Sequence, residues 1–412
     1  MPERIGALDF VRGVAVLGIL AINVTGLWGP LLATFSPAMP SLEPGGAVWF
    51  AAAYVLFEGK MRGLFTLLFG ASMMLFADAA ERRGSNPDLM QVRRLLLLMA
   101  FGYAHFALLW WGDILLPYAV CGMLAFSLRR LAPEPLAAAA LLLFLASHGL
   151  EMVGDLASIA AENRVLAGHG APAEVADQAA MMGRIAASIT ADMQVLHASF
   201  LDAVRIRLTT APALPLANLG ATFFETFPLM LLGMALLRLG LFTGEWEGGS
   251  LRRMALFGIG MGGSISAALI GWAATRGFPP AMMFALMGSL AAIPHLAMTL
   301  GYLAVLLLLY PRLKDTPVGQ RLVAAGRCAF TNYLGTTFVM CALFAGWGLG
   351  LGGVLPRGTL PVVVLGGWAL MLAWPQWWLA RFGQGPLEAL WRKLTWLGVP
   401  RSPTIPPADG AV

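Results

Sequence analysis

His105 is the residue in this chain best suited to moving a proton. It sits inside an apolar run, in Gly102-Tyr-Ala-His-Phe, and histidine is the side chain that titrates nearest neutrality. Asp113 follows in Trp110-Trp-Gly-Asp-Ile-Leu, a carboxylate able to orient an imidazole. Along one continuous helix the two would stand about 12 Å apart, so a pairing requires the turn at Gly112 to shorten that distance. The plainer readings are a neutral histidine bonded to a neighbouring helix and an aspartate that caps one. Asn23 lies about 16 Å beyond Arg12 along a helix. It is either an interhelical hydrogen-bonding group or a support for the same chemistry.

Charged clusters flank these residues. Asp9 and Arg12 stand one turn apart, so both reach one face of a helix. Arg93 and Arg94, with Arg82 and Arg83, form a second basic group. Together they could grip a phosphate; the plain reading is a local ion pair and snorkelling anchors. Glu58, Lys60 and Arg62 form a charged knot between two apolar runs. It could hold an anionic or sugar substrate, or anchor the interface. Asn332, in Gly326-Arg-Cys-Ala-Phe-Thr-Asn-Tyr, is a further candidate for substrate binding, and Glu225, His148, Glu151 and His295 read as interhelical hydrogen-bonding groups. There is no Walker sequence, dinucleotide fingerprint, HExxH or GxSxG. The five histidines show no metal-ligand spacing, so no metal is expected. Cys121, Cys328 and Cys341 lie in apolar stretches and read as packing residues.

The elements that must position these groups are membrane helices. Of 412 residues, 58% are hydrophobic and 12% charged, with mean hydropathy +0.75. Soluble domains carry about 25% charged residues, so the expected solvent, and first partner, is membrane lipid. Ten spans of sufficient length are expected, at 8–28, 61–79, 95–111, 113–128, 136–153, 214–237, 254–274, 284–309, 325–347 and 360–380. The first reads as an uncleaved helix, because Asp9 and Arg12 interrupt its start. Residues 47–57 are too short to cross and should lie along the outer surface or re-enter. The fold class is therefore all-α, a polytopic helical bundle.

Arginine sets the orientation. With both termini cytoplasmic, Arg4, Arg82, Arg83, Arg93, Arg94, Arg129, Arg130, Arg238, Arg252, Arg253, Arg312, Lys314, Arg321, Arg381, Arg392, Lys393 and Arg401 fall inside. The outer set is Lys60, Arg62, Arg164, Arg184, Arg205, Arg207, Arg276 and Arg357, and half of it lies in one long polar stretch. The expected organisation is an N-terminal bundle at 1–153, a polar extracytoplasmic connection with an amphipathic helix at 154–213, a C-terminal bundle and basic tail at 214–400, and a disordered tail at 401–412. The net charge of +5 follows these loops, so no nucleic acid is expected. The pattern is compatible with a homo-oligomer.

Five ordered stretches carry a resemblance. Leu8-Asp-Phe-Val-Arg-Gly-Val-Ala-Val-Leu-Gly-Ile-Leu-Ala-Ile-Asn and Phe57-Glu-Gly-Lys-Met-Arg-Gly-Leu-Phe-Thr-Leu-Leu-Phe-Gly resemble the first two helices of the YeiB family of bacterial inner-membrane proteins, a domain of unknown function. Arg93-Arg-Leu through Gly102-Tyr-Ala-His to Gly112-Asp-Ile-Leu-Leu-Pro-Tyr-Ala is similar to its third and fourth helices, and Thr331-Asn-Tyr-Leu and Gly385-Pro-Leu-Glu-Ala-Leu-Trp-Arg resemble its C-terminal region. The family is similar in layout to transmembrane acyltransferases, among them sugar O-acetylating enzymes and heparan-alpha-glucosaminide N-acetyltransferase. The O-acetylating branch has a histidine eleven residues after the first-helix arginine; here that position is Asn23.

The resemblance implies transfer of an acyl group from cytoplasmic acyl-CoA to an envelope acceptor such as a sugar. Asp9, Arg12, Arg93 and Arg94 would meet the donor, and Glu58, Lys60, Arg62 and Asn332 the acceptor. His105 would be the general base, with Asp113 and Asn23 in support. The alternatives are a transporter for an amphiphilic or envelope-related small molecule, and a structural or sensory protein with a partner on its outer face.

Overall fold

The computed structural model describes residues 2–399, with side chains from Gly6 onward. The expected disordered tail at 401–412, Arg401 and the side chain of Arg4 lie outside the described residues. Among those residues every regular element is helical. In chain order the helices are α1 (Pro2–Trp28), α2 (Pro44–Leu56), α3 (Lys60–Glu81), α4 (Pro87–Leu108), α5 (Leu115–Ser127), α6 (Pro133–Leu166), α7 (Pro172–His197), α8 (Phe200–Thr210), α9 (Leu214–Arg238), α10 (Gly248–Ala274), α11 (Pro280–Met287), α12 (Ser289–Leu313), α13 (Pro317–Arg327), α14 (Ala329–Phe344), α15 (Leu360–Phe382) and α16 (Pro386–Thr395).

Seven helical segments among the described residues are long and apolar enough to cross a membrane, and α5 and α14 are shorter apolar helices. With α4, whose first turns carry Arg93 and Arg94, they match the ten crossings expected from the sequence, at α1, α3, α4, α5, α6, α9, α10, α12, α14 and α15. An even number returns the chain to the side it left, and the basic loops put that side in the cytoplasm. α2 does not make a separate crossing: Phe50 and Tyr54 pack with Ile159, Ile270, Phe278 and Met282 at the outer ends of α6, α10 and α11.

Several boundaries differ from the expected spans: the third helix begins at Pro87 rather than near 95, and the eighth, expected unbroken over 284–309, is interrupted at Gly288 between α11 and α12. Two further differences follow from tertiary contacts. The fifth helix does not stop near 153 but continues to Leu166. There Glu162 accepts from the backbone N–H groups of Ala281 (3.0 Å) and Met282 (3.2 Å), capping α11. The ninth, expected unbroken over 325–347, is split at Cys328 into α13 and α14. A side chain at Gly326 would collide with the Asp9 carbonyl, and one at Gly13 with the Leu322 carbonyl. α13 is thus pressed backbone to backbone on α1 and leaves the line of α14. α3 and α9 meet the same way, Gly70 against Met230 and Gly233 against Leu67. Lipid supplies no hydrophobic drive between helices, so such close van der Waals contact is what holds them.

The amphipathic segment expected in the polar connection is α7. Ile185 is buried, Asp192 accepts from the Leu31 N–H (2.9 Å), and His197 Nε2 bonds the Gly352 carbonyl (3.0 Å). Arg357, in the outer set, is fully buried. Its guanidinium donates to the carbonyls of Pro37 (2.8 Å) and Met39 (2.6 Å), tying the loop after α1 to the start of α15.

Candidate functional site

α4 ends at Leu108, and the chain turns through 109–114 before α5 begins. Gly102 permits this, since a Cβ there would meet the Leu116 nitrogen and the Asp113 carboxylate. The turn replaces a helical separation by a contact: Asp113 Oδ1 lies 3.0 Å from His105 Nδ1, and Oδ2 accepts from the Leu116 N–H (2.9 Å). Both side chains are fully buried. An ionised carboxylate only accepts, so Nδ1 carries the hydrogen, and in the neutral imidazole Nε2 keeps its lone pair. Nε2 has no partner among the described residues. An unpaired buried polar atom costs about 1–3 kcal/mol, the kind of expense found where chemistry needs a free atom. The Tyr333 ring stands 5.3 Å from the imidazole, its hydroxyl 3.4 Å from the Gly112 carbonyl.

A cavity of about 440 Å³ opens on the cytoplasmic side. Among the described residues, its basic lining is Arg12, Arg83, Arg94, Arg327 and Arg392. Arg94 lies between the rings of Phe76 (4.7 Å) and Trp391 (4.6 Å), and Arg83 lies over Trp396 (4.9 Å). Arg12 is steadied by Asp9 (2.7 Å) and the Ser72 hydroxyl (2.9 Å). Asp9 does not line the cavity, and neither does Arg93. The cavity's carboxylate, Glu388, is occupied by the N–H groups of Phe330 (2.8 Å) and Thr331 (3.0 Å), which fastens α16 across the mouth. The charge facing a ligand is therefore positive. Inward the walls become aromatic, with Phe65, Phe69, Tyr118 and Tyr333.

A second cavity, about 520 Å³, faces the outer side. It brings together Asn23, Glu58, Arg62 and Asp113. Arg62 forks onto Glu225, Nε to Oε1 at 3.0 Å and Nη2 to Oε2 at 2.7 Å, with Glu58 at 3.7 Å. Lys60 does not join them. It is fully buried and donates to the Tyr54 carbonyl (2.7 Å), closing the bend between α2 and α3. Asn332 lines neither large cavity. Its amide donates to the carbonyls of Ala325 and Met371 (both 3.3 Å) and accepts from Trp374 Nε1 (2.9 Å), bridging the α13–α14 break to α15.

Ile114 and Tyr118 line both cavities, so one layer of side chains separates them. Tyr118 is held there by the Thr66 hydroxyl (2.5 Å). Asp113 faces the outer cavity and Tyr333 the cytoplasmic one; His105, bonded to the first and in tilted ring contact with the second, lines neither. Sequence reasoning missed Tyr118, Tyr333, Trp391 and Trp396, which look like ordinary membrane aromatics. It also missed the Glu225 partner of Arg62, too distant in the chain for any spacing rule to join them.

The family model described as protein of unknown function (DUF418) matches residues 236–398. Uncharacterized protein YeiB of Escherichia coli (strain K12) is 30% identical over 399 residues, covering 95% of this chain and 96% of the relative. Uncharacterized protein YxaH of Bacillus subtilis (strain 168) is 28% identical over 416 residues, covering 96% and 95%. An uncharacterized 39.9 kDa protein in the amylase 3' region of Bacillus acidopullulyticus is 37% identical over 134 residues, covering 32% and 36%. No solved structure matches. The likeness at 30% identity over nearly the full length of both chains makes this chain a member of the YeiB family.

Proposed function

We propose that the protein is a bacterial inner-membrane acyltransferase, moving an acyl group from cytoplasmic acyl-CoA to an acceptor that enters from the outer side. The observation that carries this reading is the pair of cavities set back to back on the Ile114–Tyr118 wall, with His105 and Asp113 within it. Five arginines among aromatic rings suit the phosphates and adenine of the donor. The aromatic inner end suits the pantetheine arm.

In this scheme an acceptor O–H or N–H attacks the thioester carbonyl. Its proton goes to His105 Nε2, the carbon–sulfur bond breaks, and the proton returns to the departing thiolate. Asp113 holds the imidazole in the required tautomer, and the wall parts when both sites are filled. Holding two reactants on one axis removes about 7 kcal/mol or more of barrier, and proton transfer by a positioned base about 10²–10⁴-fold. The test is acyl transfer or thioester hydrolysis by purified protein. His105→Gln should lower the rate at least about 100-fold while acyl-CoA binding persists. Protein that neither binds nor cleaves any acyl-CoA overturns the reading.

The same wall supports a second reading, a transporter whose two half-sites open alternately. Movement of a solute into proteoliposomes without acyl donor, retained in His105→Ala, would favour it.

A further inference from the structure

We propose that a groove between the cytoplasmic ends of α12, α13 and α15 binds the headgroup of an anionic phospholipid from the inner leaflet. This goes beyond the acyl-transfer reading and does not rest on it. The break at Cys328 makes the groove. α13, pressed on α1 through Gly326, leaves a cavity of about 630 Å³ between itself and the ends of α12 and α15. That volume is within the ~300–1,000 Å³ of ordinary ligand sites. Among the described residues, Lys314 and Arg327 line it against one carboxylate, Asp315. Arg327 donates to the Gly383 carbonyl (2.8 Å) and has no ion-pair partner among the described residues. Arg312, Arg321 and Arg381 stand within two residues of lining positions, are exposed, and are likewise unpaired. A phosphodiester arriving here meets a surplus of positive charge, the pattern by which basic pockets between membrane helices take anionic headgroups.

A second observation is independent of charge and separates a lipid from a soluble anion. Gln376 lines the groove from α15, five residues in from Arg381 and so about 7.5 Å deeper along the helix. It is half-buried, and its amide has no hydrogen-bond partner among the described residues. An unsatisfied amide at that depth is costly. Its neighbour Trp377 is 64% exposed and Phe382 55%, which puts this part of α15 against lipid at the interface. A soluble anion would satisfy the arginines and leave the amide bare. A phospholipid has acceptors at both levels, its phosphate oxygens beside the arginines and its ester carbonyls deeper, beside Gln376. Val323, Ala324 and Leu379 supply an apolar floor for its chains.

The experiment is native mass spectrometry of the full chain in neutral detergent, without acyl-CoA, titrated with phosphatidylglycerol or with phosphatidylcholine of the same chains. The first phosphatidylglycerol should bind at least about fivefold tighter. Arg327→Gln should bring the two lipids to about equal affinity. Gln376→Leu should weaken both about fivefold while keeping the preference, since an ester carbonyl is common to them. Arg82→Gln, an exposed arginine that lines neither this groove nor the cytoplasmic cavity, should change nothing. Two lining variants are used so that one that misfolds leaves the other. Equal binding of the two lipids in the unaltered chain overturns the proposal. So does unchanged binding in both lining variants, an equal loss in Arg82→Gln, or displacement of the lipid by inorganic phosphate. Because no donor is present, a failed acyl-transfer assay leaves this result standing, and the reverse holds too.

Discussion

Arg62 shows how much one side chain can decide at membrane depth. Its side chain is 29% exposed and that of Glu225 20%, so water screens the pair in part. Removing one partner of a buried pair costs about 3–5 kcal/mol, and partial exposure brings the expected loss for Arg62→Met to about 2 kcal/mol. Arg62→Met with Glu225→Gln should recover most of it, since no charge is then stranded; unfolding midpoints of the two variants check this. The sequence offered the His105–Asp113 pairing only on condition that a turn at Gly112 shortened the helical separation, and the chain does turn there. The Arg62–Glu225 pair was not legible, since it depends on how α3 meets α9. Lys60 and Asn332 had the right chemical type and the right depth, but type and depth do not say which way a side chain points. For the proposed reaction, Asp113→Asn should lower acyl transfer about 100-fold by letting the imidazole take the wrong tautomer, while acyl-CoA binding stays intact. Equal loss of binding would assign Asp113 to the fold instead.

At the scale of elements, hydrophobic length located the crossings, and close contact set their breaks. Runs of about 20 apolar residues mark lipid thickness; seven helical segments among the described residues reach it, while α5 and α14 fall short. The break at Cys328 was not legible in the chain, because it arises where α13 is pressed on α1 through Gly326 and Gly13. This makes a paired prediction. Gly233→Ala, whose methyl would collide with the Leu67 carbonyl, should destabilise by about 1–3 kcal/mol. Gly366→Ala in α15, with nothing within 4 Å, should be neutral or stabilising by about 0.5–1 kcal/mol. Equal midpoints would mean that the α3–α9 backbones are not in contact. In the outer connection, Arg164 and the Ala171 N–H (3.0 Å) hydrogen-bond Glu174 and hold its carboxyl below the usual carboxylate value of 4.5. A depressed folded value means that this support is complete above the unfolded value and is lost as pH falls through the folded one. Amide exchange in the first turn of α7 should therefore quicken as pH falls through the lowered value of Glu174, below 4.5, and Glu174→Gln should remove that dependence.

The whole molecule places its charges asymmetrically, and the proposed chemistry depends on that. Positive charge gathers around the cytoplasmic cavity and carboxylates around the outer one. A donor rich in phosphate would be drawn to the cytoplasmic side and not to the outer one. This works only if α4 and α5 run as assigned, with Arg83 and Arg94 inside and Asp155 outside. Cys121, Cys328 and Cys341 are all buried, so their slow reaction with a bulky reagent leaves a clean background for introduced thiols. In intact spheroplasts, a membrane-impermeant maleimide should label cysteines placed at Glu174 and Arg276. It should reach cysteines at Arg82 and Arg129 only after permeabilisation. Residues 47–57 sharpen the test, because counting them as a full crossing would send Arg82 and Arg129 outward. Labelling of Arg82 before permeabilisation would then reverse the cavities, and the arginine-lined one would face a compartment that holds no acyl-CoA.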